Sequence, residues 1–368
     1  MLCCMKDFIS TTFSPQSLLN FFAKDRSVLG IDVGTSSLKI IQIRREKEQA
    51  VLETYGELSA AAYSGGEPGR AVLLADEKVS EMIVDLKKEA GATAKRAVIG
   101  IPVRYSFITV VEMPELTDEQ LKEAVQFEAR RYIPIPLQDV VLDWWPIPKK
   151  NDKRGATVLL AAVQRDIVEK YKRIVTVAQL ESAGFEIEAF PPTRLLGSRG
   201  RGAVMTIDIG ALSTKISIVV DGIIHAVHHV DRASQAFSLA ISQSLGIDFQ
   251  RAEVMKQSVG ISQRPEAAGV RHTITPLIDS LFDEADRLRT SFRRRFDTPV
   301  DKAIVLGGGS LMPGFVDYAV ERLGIEVILS NPFQKLSYPA FLQPALKKIA
   351  PSFTVATGLA LRALGEEL

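Results

Sequence analysis

Two stretches of this sequence repeat one pattern, and that repetition limits the fold more than any other feature. The first reads Ile31-Asp32-Val33-Gly34-Thr35-Ser36-Ser37-Leu38-Lys39-Ile40, and the second Ile207-Asp208-Ile209-Gly210-Ala211-Leu212-Ser213-Thr214-Lys215-Ile216. In each, an apolar run ends in Asp-x-Gly, a small hydroxyl-bearing turn follows, and a Lys stands seven positions after the Asp. Each copy continues as an alternating segment, residues 38–44 and 215–220, so the spacing predicts strand, tight turn, strand. Asp221-Gly222 then signals a further hairpin into residues 223–230, and the charged turn 45–49 leads into residues 50–58. Two copies of a β-meander about half a chain apart predict two similar lobes. A solenoid would need more copies at a shorter period.

The turn itself suits phosphate. Glycine lets the backbone approach without a Cβ clash, and successive N–H groups and hydroxyls can then face phosphate oxygens. In the first turn these are Gly34, Thr35, Ser36 and Ser37 with Lys39, and in the second Gly210, Ala211, Ser213 and Thr214. Asp32 and Asp208 at the strand ends could serve a Mg²⁺ ion, usually through water. One Asp-x-Gly turn is a weak signal, because such turns are common. Two at matched spacing favour phosphate binding over a purely structural pair of hairpins.

A third element follows the apolar run 303–306. Gly307-Gly308-Gly309-Ser310 leads through Pro313-Gly314 to a helical pattern over residues 315–323. Strand, glycine loop and helix in that order put flexible backbone and a helix N-terminus beside a ligand. It is not a P-loop, which needs Gly-Lys-Ser/Thr, nor a dinucleotide Gly-x-Gly-x-x-Gly turn.

Charge narrows the partners. Of 368 residues 24% are charged, yet the formal net charge is only +1, which gives no nucleic-acid footprint. The longest basic run, Arg293-Arg294-Arg295, falls at a predicted helix end, where cations meet the negative pole of the dipole. Two cysteines, Cys3 and Cys4, make no disulfide framework, which fits a reducing cytoplasm. No window approaches ~18 consecutive apolar residues, so no membrane-spanning helix is expected. Residues 14–24 read as a short amphipathic helix that could dock on a partner or a membrane, or simply as an N-terminal arm. His225, His228 and His229 do not make a metal site by pattern, since alternation sends His228 to the opposite strand face. Trp144 and Trp145 beside Pro146 read as core and rim, or as a partner anchor.

Paired Asp-x-Gly turns and a late Gly-Gly-Gly-Ser resemble the actin, sugar-kinase and heat-shock ATPase superfamily, and within it PilM, the type IV pilus assembly family, with FtsA as a relative. The resemblance covers residues 28–364. It is carried by Val28-Leu29-Gly30-Ile31-Asp32-Val33-Gly34-Thr35, Glu128-Ala129-Arg130-Arg131-Tyr132-Ile133-Pro134, Leu306-Gly307-Gly308-Gly309-Ser310 with Pro313, and Asn331-Pro332-Phe333. It implies an α/β, actin-like (ribonuclease H-like) two-lobed fold with a small α/β insertion subdomain in the first lobe. The implied divisions are an arm (1–27), the first lobe (28–101), the inserted subdomain (102–186), a connecting segment (187–202), the second lobe (203–345) and a C-terminal helix returning to the lobe interface (346–368).

The resemblance also implies ATP with Mg²⁺ between the lobes, Glu253 and Lys256 at the ribose and adenine, and Asp32 and Asp208 toward the metal. Without it, Glu253 and Lys256 would read as an exposed ion pair on one helix face. The implied partner is the N-terminal cytoplasmic tail of a PilN-like bitopic membrane protein, held in a groove of the insertion and first lobe. Other pilus platform proteins and self-association are implied too, with the protein peripheral to the inner membrane through those partners. An FtsA-like division protein and a small-molecule kinase are the alternatives. Slow hydrolysis is expected, because Phe190-Pro191-Pro192-Thr193-Arg194, where the superfamily often carries a water-orienting group, has no carboxylate. The second turn also departs in Leu212, and Asp231-Arg232-Ala233-Ser234 replaces a Gly-Gly.

Overall fold

A computed structural model describes residues 27–67, 69–114, 116–147, 156–196 and 202–365. The arm with Cys3 and Cys4 and the helix pattern at 14–24 lie outside the described residues.

The repeat in sequence is a repeat in topology. Strands β1 (Ser27–Val33), β2 (Ser37–Glu46) and β3 (Gln49–Ser59) form the first meander, and β4 (Arg96–Ile101) joins β1 in parallel. Between Pro102 and residue 164 come β5 (Ser106–Met113), β6 (Val140–Ile147) and β7 (Ala156–Gln164), and β8 (Glu181–Ile187) then pairs in parallel with β4. In the second half β9 (Ala203–Ile209), β10 (Thr214–Val220) and β11 (Ile223–Val230) repeat the meander. Strands β12 (Val300–Leu306) and β13 (Glu326–Leu329) extend it in parallel. The two sheets run β3-β2-β1-β4-β8 and β11-β10-β9-β12-β13, the same order, with a short β14 (Leu336–Ser337) added outside β3. The seven-residue spacing has a simple origin. Asp32 pairs across its hairpin with Lys39, and Asp208 with Lys215. Asp221 and Gly222 both take positive φ, as the two-residue turn between β10 and β11 demands.

Helices cover these sheets. Helix α1 (Asp76–Glu89) packs against the first sheet, α2 (Asp118–Tyr132) lies in the insertion, and α3 (Arg165–Val177) packs on α1. The second lobe carries α4 (Ser234–Leu245), α5 (Phe249–Ser258), α6 (Ala268–Phe296) and α7 (Phe315–Leu323). Two more close the chain, α8 (Gln343–Ile349) and α9 (Thr354–Ala363). Buried on both faces, β2 reads as a near-continuous apolar run, as an interior strand must.

The insertion is smaller than residues 102–186. Its sheet, β5-β7-β6, is covered on one face by α2, whose Leu121, Val125 and Ala129 meet Val158 and Leu160. Thr117 and Gln120 form a capping box at the start of α2. By contrast, Val168, Tyr171 and Ile174 of α3 share the first lobe's core with Ile31, Met82 and Ile99, and β8 completes that lobe's sheet. Sequence pattern alone does not say which sheet a strand joins.

The second lobe also ends before 345. β14 pairs with Ala50 and Val51, and Phe333 and Phe353 pack with Val28, Ile41 and Ile43 of the first lobe. Helix α9 lies so close on β1 that a Cβ at Gly30 would sit 2.0 Å from the Ala356 carbonyl oxygen. A Cβ at Gly358 would sit 2.2 Å from the Pro191 carbonyl oxygen, on the connection between lobes. Glu186, almost fully buried, accepts two hydrogen bonds from Arg194 at 2.8 and 3.0 Å and tethers that connection to β8.

One facing prediction fails for a physical reason. A β-bulge between Ile218 and Val219 leaves His225 as an extra residue in β11. His225 and His228 therefore both meet α6, the first against the rings of Phe292 and Phe296 and the second at Glu284, while His229 pairs with Asp231. Among the described residues no group of three metal-binding side chains converges, and no helix is long and apolar enough to cross a membrane.

Candidate functional site

The two Asp-x-Gly turns face one cleft between the lobes, a cavity of about 620 Å³, within the usual range of small-ligand pockets. Both turns are closed identically: the Gly34 N–H donates to the Ser37 carbonyl and the Gly210 N–H to the Ser213 carbonyl, each at 3.1 Å. A Cβ at Gly34 would lie 2.7 Å from that Ser37 oxygen, so the position requires glycine. The carbonyls of Thr35 and Ser36 accept from Val72 and Ala60, and those of Gly210 and Ala211 from Ser234 and Gln235. Carbonyls tied back to the protein are the arrangement that frees a turn's amides for an anion.

Of the predicted site residues, Asp32, Gly34, Thr35, Ser36, Ser37, Lys39, Asp208, Gly210, Ala211, Ser213, Glu253, Lys256, Gly307, Gly308 and Gly309 line this cleft. Thr214, Ser310 and Pro313 are not among its lining residues. Thr214 is fully buried and donates its hydroxyl to the Arg232 carbonyl. Ser310 donates to the Gly307 carbonyl at 2.8 Å, and the Pro313 carbonyl accepts from Ile261. All three hold the site's frame.

The glycine run is a short 3₁₀ turn, Gly308–Leu311, with three different demands. Gly307 has φ +81°, and a Cβ there would fall 2.5 Å from Asp208 Oδ1. At Gly309 it would fall 2.4 Å from Ile209 Cγ2, whereas at Gly308 it would meet nothing within 4 Å. The cap of α7, Gly314, is not among the cleft's lining residues, although Leu311 and Met312 before it are. It packs on Ile261 and Ser262.

Charged groups divide by lobe. In the first, Lys39 Nζ donates to Ser37 Oγ at 2.6 Å and pairs with Glu57 at 3.2 Å. Asp32 is pushed up to about 6, chiefly by desolvation, with Lys39 opposing. In the second, Lys215 Nζ lies 3.0 Å from Asp208 Oδ2 and 3.3 Å from Glu188 Oε2. Desolvation pulls the Lys215 ammonium down, but Asp208, Glu188 and Asp32 together outweigh it and hold it above the usual lysine range. Glu188 Oε1 accepts from the Val103 N–H at 2.9 Å.

Glu188 is the functional residue that the sequence did not expose. It stands two positions before the segment 190–194, and only the end of β8 brings its carboxylate into the cleft. Lys215 was visible as half of the repeat, but its pairing with Glu188 was not. Asp208 Oδ2 holds the Lys215 ammonium, and Oδ1 lies against Gly307.

At the other end, Lys256 is buried and Glu253 half-buried, rather than both exposed. Lys256 donates to Glu253 at 2.6 Å, to Ser234 Oγ at 2.6 Å and to Ser238 Oγ at 2.9 Å, and burial pulls its ammonium down. A first-lobe loop closes over this end. The Ala71 N–H donates to Gln235 Oε1 at 2.6 Å, and a Cβ at Gly69 would touch Glu253. Outside the cleft, Arg295 holds the insertion to the second lobe through Glu112 and the Val110 carbonyl. Trp145 packs on Phe190 at 5.6 Å and Trp144 in the insertion's own core, both partly buried.

Two duplicated sheets around a cleft lined by paired Asp-x-Gly turns define an actin-like fold. Solved structures agree: MreB 5 of Spiroplasma citri bound to AMPPNP superposes with TM-score 0.50 at 13% identity, over 91% of this chain and 95% of that one. The MamK double helical filament does so with TM-score 0.53 at 15%, over 94% and 100%. A PilM-PilN type IV pilus biogenesis complex is more alike, with TM-score 0.78 and 25% identity over 92% of this chain and 98% of that one. The cell division protein FtsA of Streptococcus pneumoniae is 24% identical over 94% of this chain and 84% of its own length. The family described as type IV pilus assembly protein PilM matches residues 30–364. The chain belongs to the PilM family.

Proposed function

We propose that this protein is a pilus assembly component that binds ATP between its lobes, uses it as a conformational switch, and holds the cytoplasmic tail of a PilN-like membrane protein. The observation that carries the reading is the convergence of both Asp-x-Gly turns and the Gly307–Gly309 backbone on one cleft of ligand size. The phosphates would meet the two turns and Lys39, and the base would lie toward Glu253 and Lys256. Every lobe-to-lobe contact around that cleft, such as Ala71 with Gln235, would feel a ligand that prefers one lobe angle. Peripheral attachment to the inner membrane follows from the partner.

The insertion supports the partner reading. In the order β5-β7-β6, β6 is an outer strand that an extended peptide could augment. Phe127 and Tyr132 of α2 add apolar surface, Phe127 being 66% exposed. A pull-down with a PilN-like tail should succeed with the whole chain. It should fail when residues 106–164 are replaced by a short linker that spares β4 and β8, with ATP binding as the check on folding. Equal capture by both would remove the insertion from the reading.

Hydrolysis should be slow, for a reason the fold changes. A carboxylate is present after all, but both Glu188 oxygens are engaged, one by Lys215 and one by Val103. An anion paired to an ammonium is a poor acceptor for a proton from water, which removes a factor of typically ~10²–10⁴.

A further inference from the structure

We propose that Arg104 senses the terminal phosphate of a nucleoside triphosphate in this cleft and carries that state to the insertion. The inference rests on the cleft being a nucleotide site, and it names the residue that tells a triphosphate from a diphosphate.

Four cationic side chains line the cavity, Lys39, Arg104, Lys215 and Lys256. Three of them are held by carboxylates of the same cavity. Lys39 pairs with Glu57, Lys215 with Asp208 and Glu188, and Lys256 with Glu253. With Asp32, five carboxylates line the cavity against those three lysines, so no lysine brings charge that is not already shared. Arg104 differs. Among the described residues no acceptor holds its guanidinium, which is exposed and lies over the Tyr105 ring at 5.5 Å. It is the cation of this cleft left over for an anionic ligand.

The strand register places Arg104 at the phosphate end. β4 runs parallel to β1 with Ile99 beside Ile31, so it leaves the sheet level with the first Asp-x-Gly turn. Arg104 follows on the single 3₁₀ turn, Val103–Tyr105, that joins β4 to β5. Glu188 fixes this turn by accepting from the Val103 N–H at 2.9 Å, and the Tyr105 N–H donates to the Pro102 carbonyl at 3.1 Å. The backbone is thus held against the cleft while the side chain can swing. The buried Tyr171 hydroxyl feels Glu188, Asp32 and Arg104 together, the two carboxylates raising it and the guanidinium opposing. These three charges therefore share one end of the cleft. An exposed cation over an aromatic ring is weakly held, whereas a guanidinium meets phosphate oxygens through two charge-assisted hydrogen bonds.

The same turn is the root of the insertion. It runs directly into β5, whose Val110 carbonyl and Glu112 hold Arg295 of the second lobe. A terminal phosphate that draws Arg104 inward acts on this root, and a diphosphate that ends short of it does not. A ligand that favours one arrangement of the turn shifts the insertion toward it.

Calorimetry on the full chain compares ATP with ADP, with Mg²⁺ supplied because the cavity's carboxylates outnumber its cations. Arg104→Ala should lose at least ~10-fold in ATP affinity and less than about threefold in ADP affinity. Its unfolding temperature without nucleotide should match the wild type. Arg104→Lys, which keeps the charge and loses the fork, should fall between the two for ATP. Equal losses for ATP and ADP, or wild-type ATP affinity in Arg104→Ala, would overturn the proposal. A wild type that binds neither nucleotide would instead remove the nucleotide reading on which it rests. Hydrogen exchange of residues 106–113 tests the link to the insertion. At saturation, ATP and ADP should give different exchange in the wild type and the same exchange in Arg104→Ala. No difference in the wild type would contradict that link.

Discussion

Valine in place of Gly308 should weaken ATP binding and leave the fold alone. The three consecutive glycines differ in what a side chain would meet. At Gly307 it would strike Asp208 Oδ1 at 2.5 Å and at Gly309 Ile209 Cγ2 at 2.4 Å, but at Gly308 it meets nothing within 4 Å and enters the cleft. Valine there adds three carbons to the cavity wall where a ligand would lie against backbone. Excluding one well-packed or hydrogen-bonded ligand group costs on the order of 1.5–3 kcal/mol, about 10- to 150-fold in Kd. Calorimetry gives the affinity, and thermal unfolding of the ATP-free protein gives the control. Gly309→Val should instead lower the unfolding temperature, since overpacking costs about 1–3 kcal/mol. A folded Gly308→Val variant with wild-type affinity would refute the reasoning, and so would a drop in stability matching that of Gly309→Val.

Asp32→Asn should be more stable than the wild type at neutral pH. The folded carboxyl titrates near 6 against an ordinary 3.8, so the folded protein disfavours the charged form. The penalty is absent near pH 4, grows as pH rises toward 6, and reaches at most about 3 kcal/mol above it. Denaturant unfolding at pH 4 and pH 7.5 measures it, and a variant less stable at pH 7.5 would contradict it. Gly30→Ala should destabilise by about 1–3 kcal/mol, because the Cβ would meet backbone of α9 at 2.0 and 2.6 Å; an unchanged unfolding temperature would show that α9 can move away. Steady-state phosphate release from saturating ATP should stay well below ~1 s⁻¹, and a faster rate abolished by Glu188→Gln would show that this carboxylate works as a base despite its pairing.

Much of the site was legible because its chemistry is local. Asp32 with Lys39 and Asp208 with Lys215 sit within one hairpin each, so spacing alone aligned them. What required the fold was long-range. Glu188 meets Lys215 only through the way β8 joins β4 and its end opens on the cleft. The burial of Lys256 depends on Ser234 and Ser238 of a neighbouring helix. The limits of the insertion and the second lobe were misplaced for the same reason, since β8 and β14 join, and α3 packs in the core beside, a sheet formed mostly by residues distant in sequence. His225 shows the local limit, where a single bulge reverses a facing derived from strict alternation.

The account's central claim is that nucleotide in the cleft and partner on the insertion share one conformational equilibrium. It is tested most directly by the affinity of a PilN-like tail peptide for the whole protein, measured with and without saturating ATP. Coupling of about 1–3 kcal/mol, a change of roughly 5- to 150-fold, is predicted, and Gly308→Val should abolish it at ATP concentrations that saturate only the wild type. Equal tail affinity with and without ATP, in protein shown to bind ATP, would contradict the claim.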